Sequence, residues 1–186
     1  MKWNHHVNAT TKKANSIRGF LQRNVRACPP KTKALLYKTL VRPVLEYASA
    51  VWDPSSQENI RKLEMVQRRC ARFVLGDYHR ESSVTAMLNK LQWGTLQERR
   101  AQQRVYMMYS ILNGLVDLPV TYFIPVAGPS TRGNPYKLQV PFARTHLFQS
   151  TFYPDAIRLW NSLPPSTISC TSLESFKKEV QLVKLR

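Results

Sequence analysis

The sequence predicts a mainly α-helical bundle that carries an irregular Pro/Gly-rich arm and two short C-terminal helices. Apolar residues recur every three to four positions through most of residues 1–116, which is the period of an amphipathic helix. Prolines and glycines concentrate between residues 117 and 153, where they interrupt any long helix. We therefore expect a basic helical domain over 1–116, and an arm with short C-terminal helices packed on it over 117–186.

Two helices are predicted in the first part of the chain. The first covers residues 4–27 and ends where two consecutive prolines follow. The second runs from Pro30 to Trp52 and carries two adjacent apolar stripes, which predicts burial over a wide angle. Pro43 removes one backbone hydrogen bond from this helix and predicts a kink. We expect Tyr47 and Trp52 to pack against the next helix.

Three more helices are predicted before the arm. Ser55 or Ser56 is the expected N-cap of the third helix, and Gly76 is its expected C-cap. A short helix follows. A long helix then begins after Thr95 and ends at Gly114.

The arm is predicted to be loop with one short hairpin. Residues 137–140 and 145–149 are its two candidate strands. Beyond the arm, a short helix is expected over 155–163, and Ser172 is the expected N-cap of the last helix.

The charge of the chain favours a polyanionic partner. There are 28 Lys and Arg against 11 Asp and Glu, so the net charge is +17 and the pI is about 10.3. This excess is well beyond the roughly 2–8 units that keep a small domain soluble. The first 42 residues carry ten of the positive charges and no acid, so a phosphate backbone is a better partner than a neighbouring carboxylate. The alternative is a domain that is basic without any such partner.

Three helical segments combine basic residues with apolar faces: the first helix, the third helix and the run from Arg99 to Arg104. The arm offers a second kind of candidate at residues 130–138, where Tyr136 is placed to stack on a base, unless this loop is purely structural. The candidate nucleic-acid-binding residues are Lys12, Lys13, Arg18, Arg23, Arg61, Lys62, Arg68, Arg69, Arg72, Arg99, Arg100, Arg132 and Tyr136.

Catalysis has little support in the sequence. Two-metal phosphoryl transfer needs clustered carboxylates, and the chain contains no Asp-Asp pair. Asp53, Asp77 and Asp155 stand where helices end or loops turn, positions at which Asp is usually structural. The pair His5-His6 has no cysteine or acid at metal-ligand spacing, so we expect no metal site.

Cysteine usage and hydropathy indicate a chain that is not secreted. The three cysteines are far apart and odd in number, which argues against a disulfide framework. No apolar run is long enough to span a membrane, and no signal-peptide core is present. We expect a nuclear or cytoplasmic location.

The sequence contains four extended blocks in a fixed order: RPVLEYASAVWDP, KLEMVQRRCARFVLGDY, SSVTAMLNKLQWGTLQERR and YPDAIRLWNSLPPS. Together they resemble the C-terminal part of the reverse transcriptase, an RNA-directed DNA polymerase, of jockey-type non-LTR retrotransposons. The similarity runs from about Trp3 to Leu185, and each block has distinctive Trp, Pro or Arg positions. In this family the region corresponds to the polymerase thumb and the segment beyond it.

The resemblance implies a thumb-like bundle that packs on the minor groove of a template–primer duplex. The family's palm motif, an aromatic-x-Asp-Asp turn that binds two Mg²⁺, lies upstream of this region and is not present in the chain. We therefore expect no enzyme activity, no cofactor and no catalytic residue. We expect the chain to be a fragment of a truncated element, with Met1 an internal methionine.

Two functions remain open at this point. The first is sequence-independent binding of an RNA–DNA hybrid or another nucleic acid, with a palm domain in trans as a further candidate partner and neither a membrane nor a small-molecule substrate. The alternative is a domesticated or non-functional helical module that interacts with proteins. Salt-dependent binding to nucleic acid distinguishes the two.

Overall fold

The computed structural model describes residues 3–118, 120–125, 136–183 and 185, and the following account is limited to them. In these ranges the regular secondary structure is helical, apart from an isolated antiparallel bridge between Pro125 and Leu138. The predicted mainly α-helical fold is therefore confirmed.

The α-helices follow one another with short connections. They are α1 (Asn4–Asn24), α2 (Pro30–Leu36), α3 (Arg42–Glu46), α4 (Gln57–Leu75), α5 (Val84–Lys90), α6 (Leu96–Leu112), α7 (His146–Gln149), α8 (Phe152–Asn161), α9 (Pro165–Ile168) and α10 (Leu173–Leu182). A π-helical turn (Tyr37–Val41) joins α2 to α3, and a 3₁₀ turn (Val120–Tyr122) follows α6. None of the described helices is both long enough and apolar enough to cross a membrane.

The chain forms two compact units. The first consists of Met1–Ala48 and Pro54–Gln97, and the second consists of Ser49–Asp53 and Glu98–Arg186. The second unit thus includes a five-residue segment that interrupts the first unit in sequence.

Several predicted helix ends are made by the expected residues. The Ser56 hydroxyl accepts a hydrogen bond from the backbone N–H of Asn59 at 3.4 Å and caps α4. Ser172 caps α10 by accepting from the backbone N–H of Ser175 at 3.2 Å. Gly76, with φ of 69°, follows α4 in the left-handed conformation that glycine adopts without a steric penalty.

Helices α1 and α4 build the core of the first unit by packing on each other. The buried apolar residues are Val7, Ala14 and Leu21 of α1, and Leu63, Val66, Cys70, Ala71, Phe73 and Val74 of α4. Their three- and four-residue spacing is the reason these segments fold as helices with one buried side each. The opposite sides of both helices remain available to solvent.

Tyr37 and Gln67 form a buried hydrogen-bonded pair in the first unit. The Tyr37 hydroxyl donates to Gln67 Oε1 at 2.7 Å, and Gln67 Nε2 donates to the carbonyl oxygen of Gly94 at 2.9 Å. The Tyr37 ring also stacks on Trp93, with the ring centroids 4.1 Å apart. Burial raises the pKa of Tyr37 far above its usual value, so the hydroxyl stays a donor.

The predicted second helix is interrupted at Pro43 and is shorter than expected. A π-helical turn precedes the proline, and the Arg42 N–H bonds to the carbonyl oxygen of Tyr37, five residues back. This wider turn accommodates a residue that has no N–H of its own. The helix then ends at Glu46, not at Trp52, and Ala48 adopts a left-handed φ of 52°.

The prediction that Tyr47 packs inward is wrong, because its side chain is 80% exposed. Trp52 is buried as expected, but as part of the second unit, in which the Arg100 guanidinium lies 4.2 Å from the centre of its ring. The helix is shortened because Trp52 and Asp53 make tertiary contacts that outweigh local helix propensity.

The second unit has an aromatic core. Tyr109 of α6 stacks on Phe176 of α10 with centroids 4.3 Å apart, and Trp160 of α8 lies 5.9 Å from the same ring. The Tyr109 hydroxyl donates to the carbonyl oxygen of Cys170 at 2.8 Å. These contacts join α6, α8 and α10 into one cluster.

The predicted hairpin in the arm is wrong. Most of residues 145–149 forms α7, so no second strand is available there. The Asn161 side chain accepts from the Leu138 N–H at 2.9 Å and donates to the Leu138 carbonyl oxygen at 2.8 Å. The segment around Leu138 therefore pairs with Asn161 of α8 and, through the Gln139 N–H bond of 2.7 Å to the Ile124 carbonyl oxygen, with residues 124–125, and not with residues 145–149.

Candidate nucleic-acid interface

Helices α1 and α4 lie side by side and run in the same direction. Asn59 Nδ2 donates to Asn4 Oδ1 at 2.8 Å, and one turn later Lys62 Nζ donates to Asn8 Oδ1 at 3.3 Å. The two pairs are separated by 55 and 54 residues in sequence, so the two helices run parallel. The exposed side of α1 and the exposed side of α4 are therefore neighbours. The amide side chains of Asn4, Asn8 and Asn59 lie between them.

The exposed side of α4 is a stripe of cations. Arg61 and Arg68 are seven residues apart, about two helical turns, and thus point the same way. Arg69 is exposed beside them, and Met65, 46% exposed, lies within the stripe. From Arg61 to Arg69 the stripe covers about 12 Å of helix axis.

The exposed side of α1 repeats this arrangement. Lys12 and Arg23 are eleven residues apart, about three turns, and are both exposed on the same side. Lys13 is also exposed, but it points about 100° away from Lys12, on the side of α1 away from α4, and does not join them. Between these cations and α4 lies a flank that carries the partly exposed Asn15, Arg18 and Gln22. We define the α1–α4 face as exposed Lys12, Arg23, Arg61, Arg68 and Arg69, together with partly exposed Lys62.

The acids on this side of α4 are already engaged. Glu58 pairs with Lys62 at 2.8 Å, and the hydrogen bond from Lys62 lowers the pKa of the Glu58 carboxyl. The Glu64 carboxylate accepts the backbone N–H of Gln97 at 3.0 Å. Within the described part of the chain, Arg61 forms no ion pair, and the same holds for Arg68 and Arg69. The positive charges of these three arginines are therefore exposed to solvent, and no acid of the described residues pairs with them.

Two predicted cations are held by neighbouring side chains. Arg18 donates to Gln22 Oε1 at 2.9 Å and to Asn15 Oδ1 at 3.4 Å, which keeps it along the flank of α1. Lys62 is shared between Glu58 and Asn8. Both therefore contribute to the positive field of the face more than to a new contact.

Arg72 belongs to the predicted set but points at the chain that follows α4. Its guanidinium donates to three backbone carbonyl oxygens, those of Asp77 at 3.4 Å, His79 at 3.1 Å and Ser82 at 3.4 Å. These hydrogen bonds occupy the guanidinium N–H groups that would otherwise donate to a phosphate. The side chain thus holds a loop in place.

Arg100 corrects the prediction most clearly. It is 2% exposed, lies over the Trp52 ring and donates to Asp53 Oδ1 at 3.0 Å. A phosphate group has no access to a guanidinium in this position. Arg100 is therefore a structural residue of the second unit and not part of a binding surface.

A buried ion-pair network explains the position of Arg100. Arg104, one turn along α6, bonds to Asp53 Oδ2 at 3.1 Å and also to Asp155 of α8. Two arginines thus face two aspartates, and the charges balance. Pairing of this kind is what allows charged groups to be buried. The network ties α6, α8 and the segment Ser49–Asp53 together.

The remaining predicted residues belong to the second unit or lie outside the described residues. Arg99 is partly exposed in the second unit. Tyr136 is 46% exposed in the same unit, and its carbonyl oxygen accepts from Trp160 Nε1 at 3.1 Å. Arg132 lies outside the described residues.

The described residues contain no group of three or more His, Cys, Asp or Glu side chains that could hold a metal ion. The Cys70 thiol is buried, and burial raises its pKa to about 12, so it is a poor nucleophile at neutral pH.

Sequence reasoning missed the ion-pair network because it treated Arg99 to Arg104 as one basic run. A signal was present. Arg100 and Arg104 continue the four-residue steps from Leu96 to Met108, both of which are buried. An arginine buried on the apolar side of a helix requires an acidic partner. The partners here are Asp53 and Asp155, two of the aspartates that were expected to cap helices or form turns.

Comparisons of this chain with family models, with curated proteins and with solved structures give no match.

Proposed function

We propose that this chain binds nucleic acid without regard to sequence, through the α1–α4 face, as a thumb-region fragment of a jockey-type non-LTR retrotransposon reverse transcriptase. The partner class that fits best is an RNA–DNA hybrid or another duplex. In this proposal the chain has no enzyme activity of its own and acts in the nucleus or cytoplasm.

The observation that carries the proposal is the uncompensated charge of Arg61, Arg68 and Arg69 on one side of α4. Cations on a helix surface usually alternate with acids that pair with them at four-residue spacing. Here the nearby acids are engaged elsewhere, and α1 adds Lys12 and Arg23 alongside. A phosphate backbone is the common ligand that supplies a matching line of negative charge.

The mechanism is release of counterions from the nucleic acid. Each Lys or Arg that neutralises a phosphate frees condensed cations, which makes binding favourable and strongly dependent on salt. Contacts of this type position a protein on the backbone and carry no base information. The exposed Met65 within the stripe adds an apolar group that can lie against the sugars.

Fluorescence-anisotropy titration tests the proposal. Labelled RNA–DNA hybrid, duplex DNA and single strands are titrated with the full chain at several salt concentrations. We expect the logarithm of the affinity to fall with the logarithm of salt concentration, with a slope of about −3 or steeper, and the hybrid to bind at least as well as duplex DNA. Weak binding that does not change with salt would contradict the proposal.

One observation favours a second candidate, a surface that binds protein. In the second unit the Phe142 side chain is 90% exposed, and Leu147 and Phe148 are also exposed. Exposed apolar groups this close in sequence are typical of protein contacts. This function predicts association that becomes stronger, not weaker, as salt rises.

A further inference from the structure

The loop that follows α4 is ordered by its own polar groups. Gly76 turns the chain away from the helix, and residues 76–83 return it to the start of α5. We call this segment the 76–83 loop. The loop begins at the end of α4, about two helical turns beyond Arg69, and both belong to the first unit.

Arg72 and Asp77 hold the loop from its inner side. Arg72 donates to three of its carbonyl oxygens. The Asp77 carboxylate accepts the Ser82 hydroxyl at 2.8 Å and the His79 backbone N–H at 3.1 Å, and these bonds lower the pKa of Asp77. The carboxylate therefore remains ionised through the neutral range and accepts both bonds there.

The outer side of the loop presents groups that suit a nucleotide. Tyr78 is 56% exposed, and His79 and Arg80 are exposed beside it. An open depression of about 490 Å³ is lined by His79, Arg80, Glu81 and Ser82. This lining is polar, with donors for a phosphate and, at Glu81, an acceptor for an amino or hydroxyl group.

We propose that the 76–83 loop binds an unpaired nucleotide at the end of a duplex, with Tyr78 stacked on the base and Arg80 on the phosphate. This rests on the proposed function and deepens it. An aromatic ring on a preordered loop stacks on a base with little loss of conformational freedom. A duplex held on the stripe of α4 would reach this loop where the helix ends. The Glu81 carboxylate disfavours free phosphate and favours a ligand that also carries a base and a sugar.

The test compares two RNA–DNA hybrids that differ only in a three-nucleotide unpaired extension. The extension carries 2-aminopurine next to the duplex, because the fluorescence of this base falls when it stacks. We expect the extended hybrid to bind about fivefold or more tightly than the blunt one, with quenching on binding. In Tyr78→Ala both the preference and the quenching should be lost, and Tyr78→Phe should keep them.

Tyr47→Ala is the matched control, since Tyr47 is an exposed tyrosine of the same unit and lies outside the 76–83 loop. Circular dichroism establishes that each variant is folded. Equal binding of the two hybrids by the wild-type chain, or an unchanged preference in Tyr78→Ala, would overturn the loop proposal while leaving binding by the α1–α4 face intact. If neither hybrid binds, the proposed function itself fails, and the loop proposal fails with it.

Discussion

Asn59 of α4 donates a hydrogen bond of 2.8 Å to the side chain of Asn4 of α1, and this buried amide sets the register of the two helices. One turn further, Lys62 bonds to Asn8 in the same register. The cations of both helices are brought alongside each other by this alignment. The α1–α4 face is thus a product of tertiary packing and not of either helix alone.

Asn59→Ala removes the register-setting bond and leaves the Asn4 amide without this partner. We expect a loss of about 1–2 kcal/mol in the free energy of unfolding. Urea unfolding followed by circular dichroism measures it. Asn113→Ala is a suitable control, because the exposed Asn113 side chain bonds only within its own helix end, to the Tyr109 carbonyl oxygen. Equal losses in the two variants would contradict a role for Asn59 in packing α1 on α4.

Arg104→Met breaks the buried ion-pair network of the second unit. Asp53 and Asp155 lose a shared partner while their side chains are only 20% and 14% exposed. We expect a loss of about 3 kcal/mol in the free energy of unfolding. Lys177→Met, which breaks an exposed pair with Glu174, should cost less than about 1 kcal/mol. The account of this network would be wrong if the two variants were equally stable.

Cys70 makes stability depend on pH in the alkaline range. Its pKa is raised from 9.0 to about 12 by burial, so the folded state retains the thiol proton where the unfolded state releases it. The stabilising contribution is complete below pH 9 and is lost as the pH rises towards 12. We expect part of the alkaline loss of stability to disappear in Cys70→Ala, as measured by unfolding at pH 8 and pH 11.

Thiol labelling tests the burial of Cys70 by an independent measurement. At pH 8 a disulfide reagent should modify the partly exposed Cys28 and Cys170 readily and Cys70 only after unfolding. Labelling of Cys70 in the native protein at the rate of Cys28 would show that α1 and α4 do not pack as described.

The helical architecture could be predicted because its signals are local. The three- and four-residue spacing of apolar residues in α4, the serine before it and Gly76 after it together define that helix from sequence alone. The cationic stripe could be predicted in the same way, since Arg61, Arg68 and Arg69 share the side opposite to the apolar one.

The features that could not be predicted depend on contacts between segments distant in sequence. The helical period could have placed Arg100 on the buried side of α6, but its partner Asp53 is 47 residues away in sequence. Leu138 is bonded to Asn161, 23 residues away, and forms a bridge with Pro125, so its partners are not the expected residues 145–149. In both cases a polar side chain distant in sequence decided the outcome, and no local pattern specifies such a partner.

The measurement that tests the central claim most directly is the salt dependence of hybrid binding by the double variant Arg61→Gln/Arg68→Gln. Its control is Lys90→Gln/Lys178→Gln, which removes the same charge from exposed positions outside the α1–α4 face. If the face binds phosphates, the slope of log affinity against log salt should become less negative by about 2 in the first variant and remain near the wild-type value in the control. Identical slopes in both double variants would contradict the claim, since net charge and not this surface would then determine binding.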